Sequence, residues 1–184
     1  LAVSNGNTVV LYSESGGTYT LDVTLTLPSE FEVVSMSYAN GRMGILTMLS
    51  DVAAAKGQNK EAQFFIWDGT GTTAQPGIPI GSSKGIACIP YKGSFVILTS
   101  LGQLRYFNGG GWDDLAALPF YFKDMLWGDS FTRDIYGDSM WIEGDLIYIN
   151  VTAFLKAYGS RYERFLPEHQ GGILVYDPSV GGIY

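Results

Sequence analysis

Acidic side chains are concentrated between residues 113 and 145, where they could bind a metal ion. This stretch holds eight carboxylates against two basic side chains and carries −6 of the net charge of −7. Calcium takes several carboxylate oxygens, and the spacing of Asp129, Asp134 and Asp138 would place three of them on one loop. No EF-hand spacing is present, so we favour the alternative of a solvated acidic rim. We expect no bound cofactor, and calcium is the one candidate metal. The acids are Asp113, Asp114, Asp124, Asp129, Asp134, Asp138, Glu143 and Asp145.

Separated carboxylates can also hydrolyse a glycosidic bond. Asp68 and Asp177 each follow an apolar run that ends in an aromatic residue, and Asp113 follows Trp112. Aspartate after a strand is, however, an ordinary turn residue. A catalytic triad or a multi-histidine metal site would have to use the single histidine, His169. We read His169 as an exposed loop residue and predict that the chain is not an enzyme.

Residues 152–170 form an insertion whose aromatic and apolar side chains recur at helical spacing, together with a local basic group. We expect either a docking element for a neighbouring subunit or a short helix that packs over its own unit. The predicted partner-binding residues are Phe154, Tyr158, Arg161, Tyr162, Arg164 and Phe165.

The composition indicates a β-rich globular protein with many tight turns. The 184 residues include 24 Gly, 12 Tyr and 10 Phe, and only 16% are charged. The acidic balance argues against nucleic-acid binding, which needs basic surfaces, and no apolar run is long enough for a membrane helix. Cys88 is the only cysteine, which excludes an internal disulfide, and its apolar neighbours predict a buried small side chain.

Short β-prone runs separated by turn residues recur along the chain. Asn40-Gly41 is a hairpin signal, and Gly41, Gly93 and Gly144 follow one another at spacings of 52 and 51 residues. Residues 1–6 resemble residues 97–102, and both chain ends fall inside β-rich runs. The pattern predicts one domain made of four antiparallel units. The units are 1–28, 31–81, 84–119 and 135–184, with the aromatic strand ends Tyr12, Trp67, Phe107 and Tyr176.

With its four-stranded units and one variable connection, the chain resembles β-propeller proteins with kelch-like or WD-like blades. The aromatic-Asp-Gly and aromatic-Asn-Gly turns at residues 67–69 and 107–109 carry the resemblance. It implies an all-β fold in which about three and a half blades form a portion of a larger ring. The alternative is a β-sandwich.

A Gly-rich, Tyr-rich, acidic propeller without catalytic residues is similar in style to structural proteins of bacteriophage tails and virions. This resemblance implies a non-catalytic module, located in a virion, that binds other protein subunits or copies of itself and in which a host-surface glycan is a further candidate ligand. One alternative is a carbohydrate-binding or glycoside-hydrolysing propeller. The other is a cellular scaffold for protein partners, with an extracellular or cytoplasmic location.

Overall fold

The structure of the chain, a computed structural model, describes residues 1–51, 53, 61–118, 140–150 and 173–184. The regular secondary structure of these residues is almost entirely β-strand, which confirms the all-β prediction. They form four antiparallel sheets in which each strand pairs with its neighbours in chain order.

The first sheet has β1 (Ala2–Asn5), β2 (Thr8–Ser15) and β3 (Thr18–Thr26). The second has β4 (Phe31–Ala39), β5 (Arg42–Leu49), β6 (Gln63–Trp67) and β7 (Ile78–Pro79). The third has β8 (Gly85–Tyr91), β9 (Ser94–Thr99), β10 (Gln103–Phe107) and β11 (Trp112–Ala117). The fourth has β12 (Met140–Glu143), β13 (Leu146–Asn150), β14 (Ile173–Asp177) and β15 (Gly182–Ile183).

Two-residue hairpins join the first and second strands of the second, third and fourth sheets. The pairs that close them are Ala39–Arg42, Tyr91–Ser94 and Glu143–Leu146, and they begin 52 residues apart each time. Gly93 and Gly144 are only 51 residues apart, because Gly144 takes the first central position of its turn and Gly93 takes the second. The hairpin predicted from Asn40-Gly41 is confirmed: both residues have positive φ, 54° and 76°, as a type I′ turn requires.

Consecutive sheets pack face to face, and each of the three interfaces has its own apolar cluster. Between the second and third sheets, the ring of Phe64 lies 5.4 Å from that of Phe95 and 5.3 Å from that of Trp112. Edge-to-face pairs of this kind add about 0.5–1.5 kcal/mol each to the free energy of unfolding beyond simple burial. Among the described residues, the second and third sheets therefore pack against a neighbour on both faces, whereas the first and fourth do so on one face each.

The first strands of neighbouring sheets lie side by side, β4 against β8 and β8 against β12. The buried hydroxyl of Ser35 in β4 accepts a hydrogen bond from the backbone N–H of Cys88 at 3.0 Å, and it donates to the carbonyl of the same residue at 3.5 Å. Burial raises the pKa of the Cys88 thiol to about 12, and a hydrogen bond with Ser37 opposes the shift. As predicted, Cys88 is a buried side chain.

The described strands of the four sheets span 2–26, 31–79, 85–117 and 140–183, each within one of the four units read from the sequence. Second and third strands are joined by segments of unequal length, 50–62, 100–102 and 151–172, in the last three sheets. A β-sandwich has two packed sheets, whereas the described residues form four. Within the described ranges, no helix has the length and apolar character to cross a membrane.

Candidate functional site

The first hairpins of the second, third and fourth sheets meet at one end of the molecule. They surround an open depression of about 430 Å³. The 52-residue repeat explains the arrangement, because it places the same turn at the same level of each sheet. The lining residues are Ala39, Asn40, Pro90, Tyr91, Lys92, Gly93, Ile142, Gly144 and Asp145.

The depression combines an aromatic ring with polar and charged groups. The hydroxyl of Tyr91 donates to the backbone carbonyl of Asp145 at 3.3 Å, which ties the third sheet to the fourth. The Nζ atom of Lys92 lies 5.1 Å from the centre of the Tyr91 ring, within the range of a cation–π contact. The pKa of nearby Tyr176 is raised, first by its burial and then by Tyr91 and Asp177, while Lys92 acts in the opposite direction. Lys92 therefore places a positive charge at the depression.

Lys92 has a backbone conformation that lysine rarely adopts, with φ at 47°. Asn40 holds the corresponding position of the preceding sheet, and asparagine tolerates positive φ better than lysine does. The sequence identifies Gly93 as one of the recurring glycines, but it gives the preceding lysine no role. The turn demanded asparagine or glycine at this position, and the presence of lysine was the available signal.

A second exposed surface is the face of the fourth sheet that points away from the third. Trp141 pairs with Tyr148, Tyr148 with Val175, and the backbone of Val175 exchanges two hydrogen bonds with that of Tyr184. These four residues, the outer row, run across β12, β13 and β14 to the residue that follows β15. The rings of Trp141 and Tyr148 stack with their centres 5.4 Å apart and their planes 10° apart. Trp141 is 37% exposed and Tyr184 65% exposed.

The outer row was not singled out from the sequence. Met140, Trp141 and Ile142 form a continuous apolar run, so no alternation marks Trp141 as outward-facing. Only the register of the four strands brings the members of the row together.

The first sheet also exposes apolar side chains, on its face away from the second sheet. Leu1, Leu21 and Tyr19 are each more than half exposed, and Val3 is 46% exposed. In contrast, Val9 and Leu25 of the same sheet are buried against the second sheet. Both ends of the stack therefore present apolar surface.

The three aspartates considered for glycoside hydrolysis each serve a turn. The carboxylate of Asp68 accepts hydrogen bonds from the backbone N–H and the hydroxyl of Thr70, and these bonds lower its pKa. The carboxylate of Asp177 accepts from Ser179, and its pKa is lowered for the same reason. Asp113 accepts from the side-chain amide of Asn108 at 2.9 Å. None of these contacts joins one of the three carboxylates to another.

The other predicted site residues lie outside the described residues. This applies to the calcium candidates Asp129, Asp134 and Asp138, to His169, and to the docking residues of the 152–170 insertion. In the part of the chain that the structure describes, no group of three or more His, Cys, Asp or Glu residues could hold a metal ion. The docking residues concerned are Phe154, Tyr158, Arg161, Tyr162, Arg164 and Phe165.

No protein-family model matches the chain, and no curated protein matches it either. The function must therefore be inferred from the geometry of the surfaces described above.

Proposed function

We propose that the chain is a non-catalytic structural and binding module with a propeller-like arrangement, in which each sheet is one blade of a larger ring. The packing of the sheets in chain order supports this arrangement, and so do the adjacent first strands β4, β8 and β12. In a propeller, four-stranded sheets are placed radially around a centre. The inner position belongs to the first strands, and the outer position to β7, β11 and β15.

The outer row of the fourth sheet is the observation that carries the binding role. Counted from the closing pair of the first hairpin, Trp141 corresponds to Ile89 and Tyr148 to Val96. Ile89 and Val96 are buried against the fourth sheet. In the third sheet, these positions form the interface with the next sheet. In the fourth sheet, the outer row holds the same positions on an open face. We infer that another protein sheet covers it, supplied by a further subunit or by a copy of this chain.

Self-association is the form of this proposal that can be tested on the chain alone. Sedimentation velocity over a wide concentration range is expected to show reversible association of the unmodified chain. The double substitution Trp141→Ser, Tyr148→Ser should weaken it at least about tenfold, because stacked aromatic anchors dominate such interfaces. Tyr38→Ser is the matched control, since Tyr38 is 66% exposed outside the row. Equal association of all three proteins would contradict a role for the row.

The assembly class that we propose is the bacteriophage virion, with the tail as the location. The support is the similarity in style that the glycine-rich, tyrosine-rich and acidic composition carries. A cellular scaffold is the alternative assembly. Electron microscopy of native particles labelled with an antibody against this chain tests the proposal. Labelling of symmetric positions on a tail or baseplate is the expected result, and labelling confined to cellular complexes would reject it.

A second candidate function is carbohydrate binding at the hairpin depression, which the grouping of Asn40, Lys92 and Asp145 favours. A few convergent polar groups in a concave site can fix the orientation of a sugar, and Tyr91, only 7% exposed, supports the site from below. Titration with a panel of oligosaccharides, followed by NMR, should shift the amide signals of Lys92 and Gly93. Lys92→Ala should weaken such binding, whereas Lys84→Ala, placed outside the depression, should not. Shifts spread evenly over the chain would argue against a site here.

A further inference from the structure

The first strands β4, β8 and β12 each pair on one side with the second strand of their own sheet. Their other side, the inner edge, points toward the preceding sheet, as two hydrogen bonds show. The N–H of Val33 in β4 donates to the carbonyl of Gly6 in the first sheet at 2.8 Å. The N–H of Cys88 in β8 donates to Ser35 in the second sheet at 3.0 Å. By the same repeat, the inner edge of β12 faces β8, which lies beside it.

The register of β12 decides which of its backbone groups lie on the inner edge. Glu143 and Leu146 close a two-residue hairpin, so they form a hydrogen-bonded pair. Because hydrogen-bonded and non-hydrogen-bonded pairs alternate along an antiparallel ladder, the N–H and the carbonyl of Ile142 point to the inner edge. The same count places the N–H and the carbonyl of Cys88 on the inner edge of β8, where both bond to Ser35.

Serine hydroxyls serve the inner edge of β8 but have no counterpart at the inner edge of β12. Ser35 and Ser37 of β4 both bond to the same residue of β8. Counted from the closing pairs of the hairpins, Ala87 and Ile89 of β8 hold the corresponding positions, and neither side chain can form a hydrogen bond. Within the described residues, no other group bonds to the N–H or the carbonyl of Ile142.

Ile142 is the place where this unpaired strand edge opens to the hairpin depression, which it lines. Met140, deeper along the same edge, is 3% exposed. On the side of β8, Pro90 lines the depression at the equivalent position, 52 residues before Ile142. Proline has no N–H, so the third sheet offers only a carbonyl there. A backbone donor and a backbone acceptor therefore lie together at Ile142.

Opposite charges border this backbone site. Lys92 and Asp145 line the same depression, and Asn40 adds a neutral carboxamide. A ligand with a full charge is attracted by one of the two charged groups and repelled by the other. Neutral hydroxyl groups can accept a hydrogen bond from the lysine and donate one to the aspartate. The lining therefore suits a neutral ligand with several hydroxyl groups.

We propose that the N–H and the carbonyl of Ile142 together hold one hydroxyl group of a neutral sugar, in the way that the backbone of Cys88 holds Ser35. The sugar hydroxyl accepts from the N–H and donates to the carbonyl, while other hydroxyls of the ring bond to Lys92 and Asp145. The inference rests on the second candidate function, carbohydrate binding at the depression. It adds the group that recognises the ligand and assigns the ligand to neutral sugars.

The test uses the full chain and the methyl glycosides of glucose, galactose and mannose as probes. Titration followed by NMR identifies a glycoside that shifts the amide signals of Lys92 and Gly93. With this glycoside in excess, hydrogen exchange of the Ile142 amide should slow at least about fivefold, because the bound hydroxyl protects its N–H. The amides of Trp141 and Glu143 should change much less, since β13 already holds them.

A proline substitution removes the proposed donor. Ile142→Pro should weaken binding of the same glycoside at least about tenfold, because the sugar hydroxyl loses the N–H. The fold should tolerate this change, since Pro90 holds the equivalent position in the third sheet. Ile142→Val keeps the N–H and most of the side chain, so this matched control should bind as tightly as the unmodified chain.

The outcomes separate this inference from the function on which it rests. Suppose that a glycoside shifts the signals of Lys92 and Gly93, but that Ile142→Pro binds it equally well and exchange of the Ile142 amide does not slow. The carbohydrate site then stands, and the role of Ile142 is overturned. If none of the three glycosides binds, both are overturned. Sodium acetate is the anionic probe, and binding of acetate alone would overturn both in favour of an anion site.

Discussion

At the scale of single residues, Ser35 links the second sheet to the third through Cys88. Ser35 is 8% exposed, and its hydroxyl is hydrogen-bonded to both the N–H and the carbonyl of Cys88. The hydroxyl of Ser37, two residues later, is hydrogen-bonded to the Cys88 thiol, at 3.2 Å. Because an unsatisfied buried backbone group costs more than a lost weak contact, the two serines have unequal roles.

We therefore expect Ser35→Ala to lower the free energy of unfolding by about 1–3 kcal/mol. Ser37→Ala should lower it by less than about 1 kcal/mol, because a thiol is a weak hydrogen-bonding group. Urea unfolding of the two variants beside the unmodified chain measures the difference. Equal effects would show that the hydroxyl of Ser35 does not satisfy the backbone of Cys88.

At the scale of elements, the hairpins were predictable wherever the turn residues have the usual chemistry. Asn40-Gly41 gave the position of its hairpin because both residues accept positive φ. Gly144 gave a spacing one residue short because a glycine can take either central position. The conformation of Lys92 could not be foreseen, since lysine disfavours it and only the pairing of Tyr91 with Ser94 imposes it.

Replacing Lys92 by asparagine should stabilise the third sheet. The positive φ of a lysine costs roughly 1–2 kcal/mol, whereas an exposed cation–π contact with Tyr91 is worth about 0.5–1 kcal/mol. Lys92→Asn removes most of the backbone strain but also loses the cation–π contact. We therefore expect the free energy of unfolding to rise by roughly 0.5 kcal/mol. Thermal and urea unfolding provide the measurement.

Lys92→Met separates the two contributions, because it keeps the unfavourable φ and removes the charge. This variant should be less stable than the unmodified chain by about 0.5 kcal/mol. If Lys92→Asn proved less stable than Lys92→Met, backbone strain at this turn would not be the larger effect.

At the scale of the whole molecule, the sequence predicts which strands share a sheet better than it predicts which face of that sheet is covered. Strand alternation and turn residues are local, so they indicate where each unit begins and ends. Which face of a sheet is covered depends on packing between units, and no local pattern distinguishes the buried Ile89 from the exposed Trp141 one unit later. For the same reason, the outer row and the depression could not be predicted, because both arise from contacts between distant residues.

The packing order of the sheets predicts a gradient of local stability from the middle of the stack to its ends. β9, in the third sheet, is buried along almost its whole length, whereas the first five residues of β3 are exposed. Exchange of the Ile97 amide should therefore require global unfolding, and that of Thr20 only a local opening of the first sheet. We expect Ile97 to exchange at least about a hundredfold more slowly in hydrogen-exchange NMR. Its exchange should also accelerate steeply with added urea, since global unfolding exposes much surface, while that of Thr20 should hardly respond. Equal rates and equal urea dependence would mean that the first sheet unfolds only together with the rest. That result would contradict an end sheet covered on a single face.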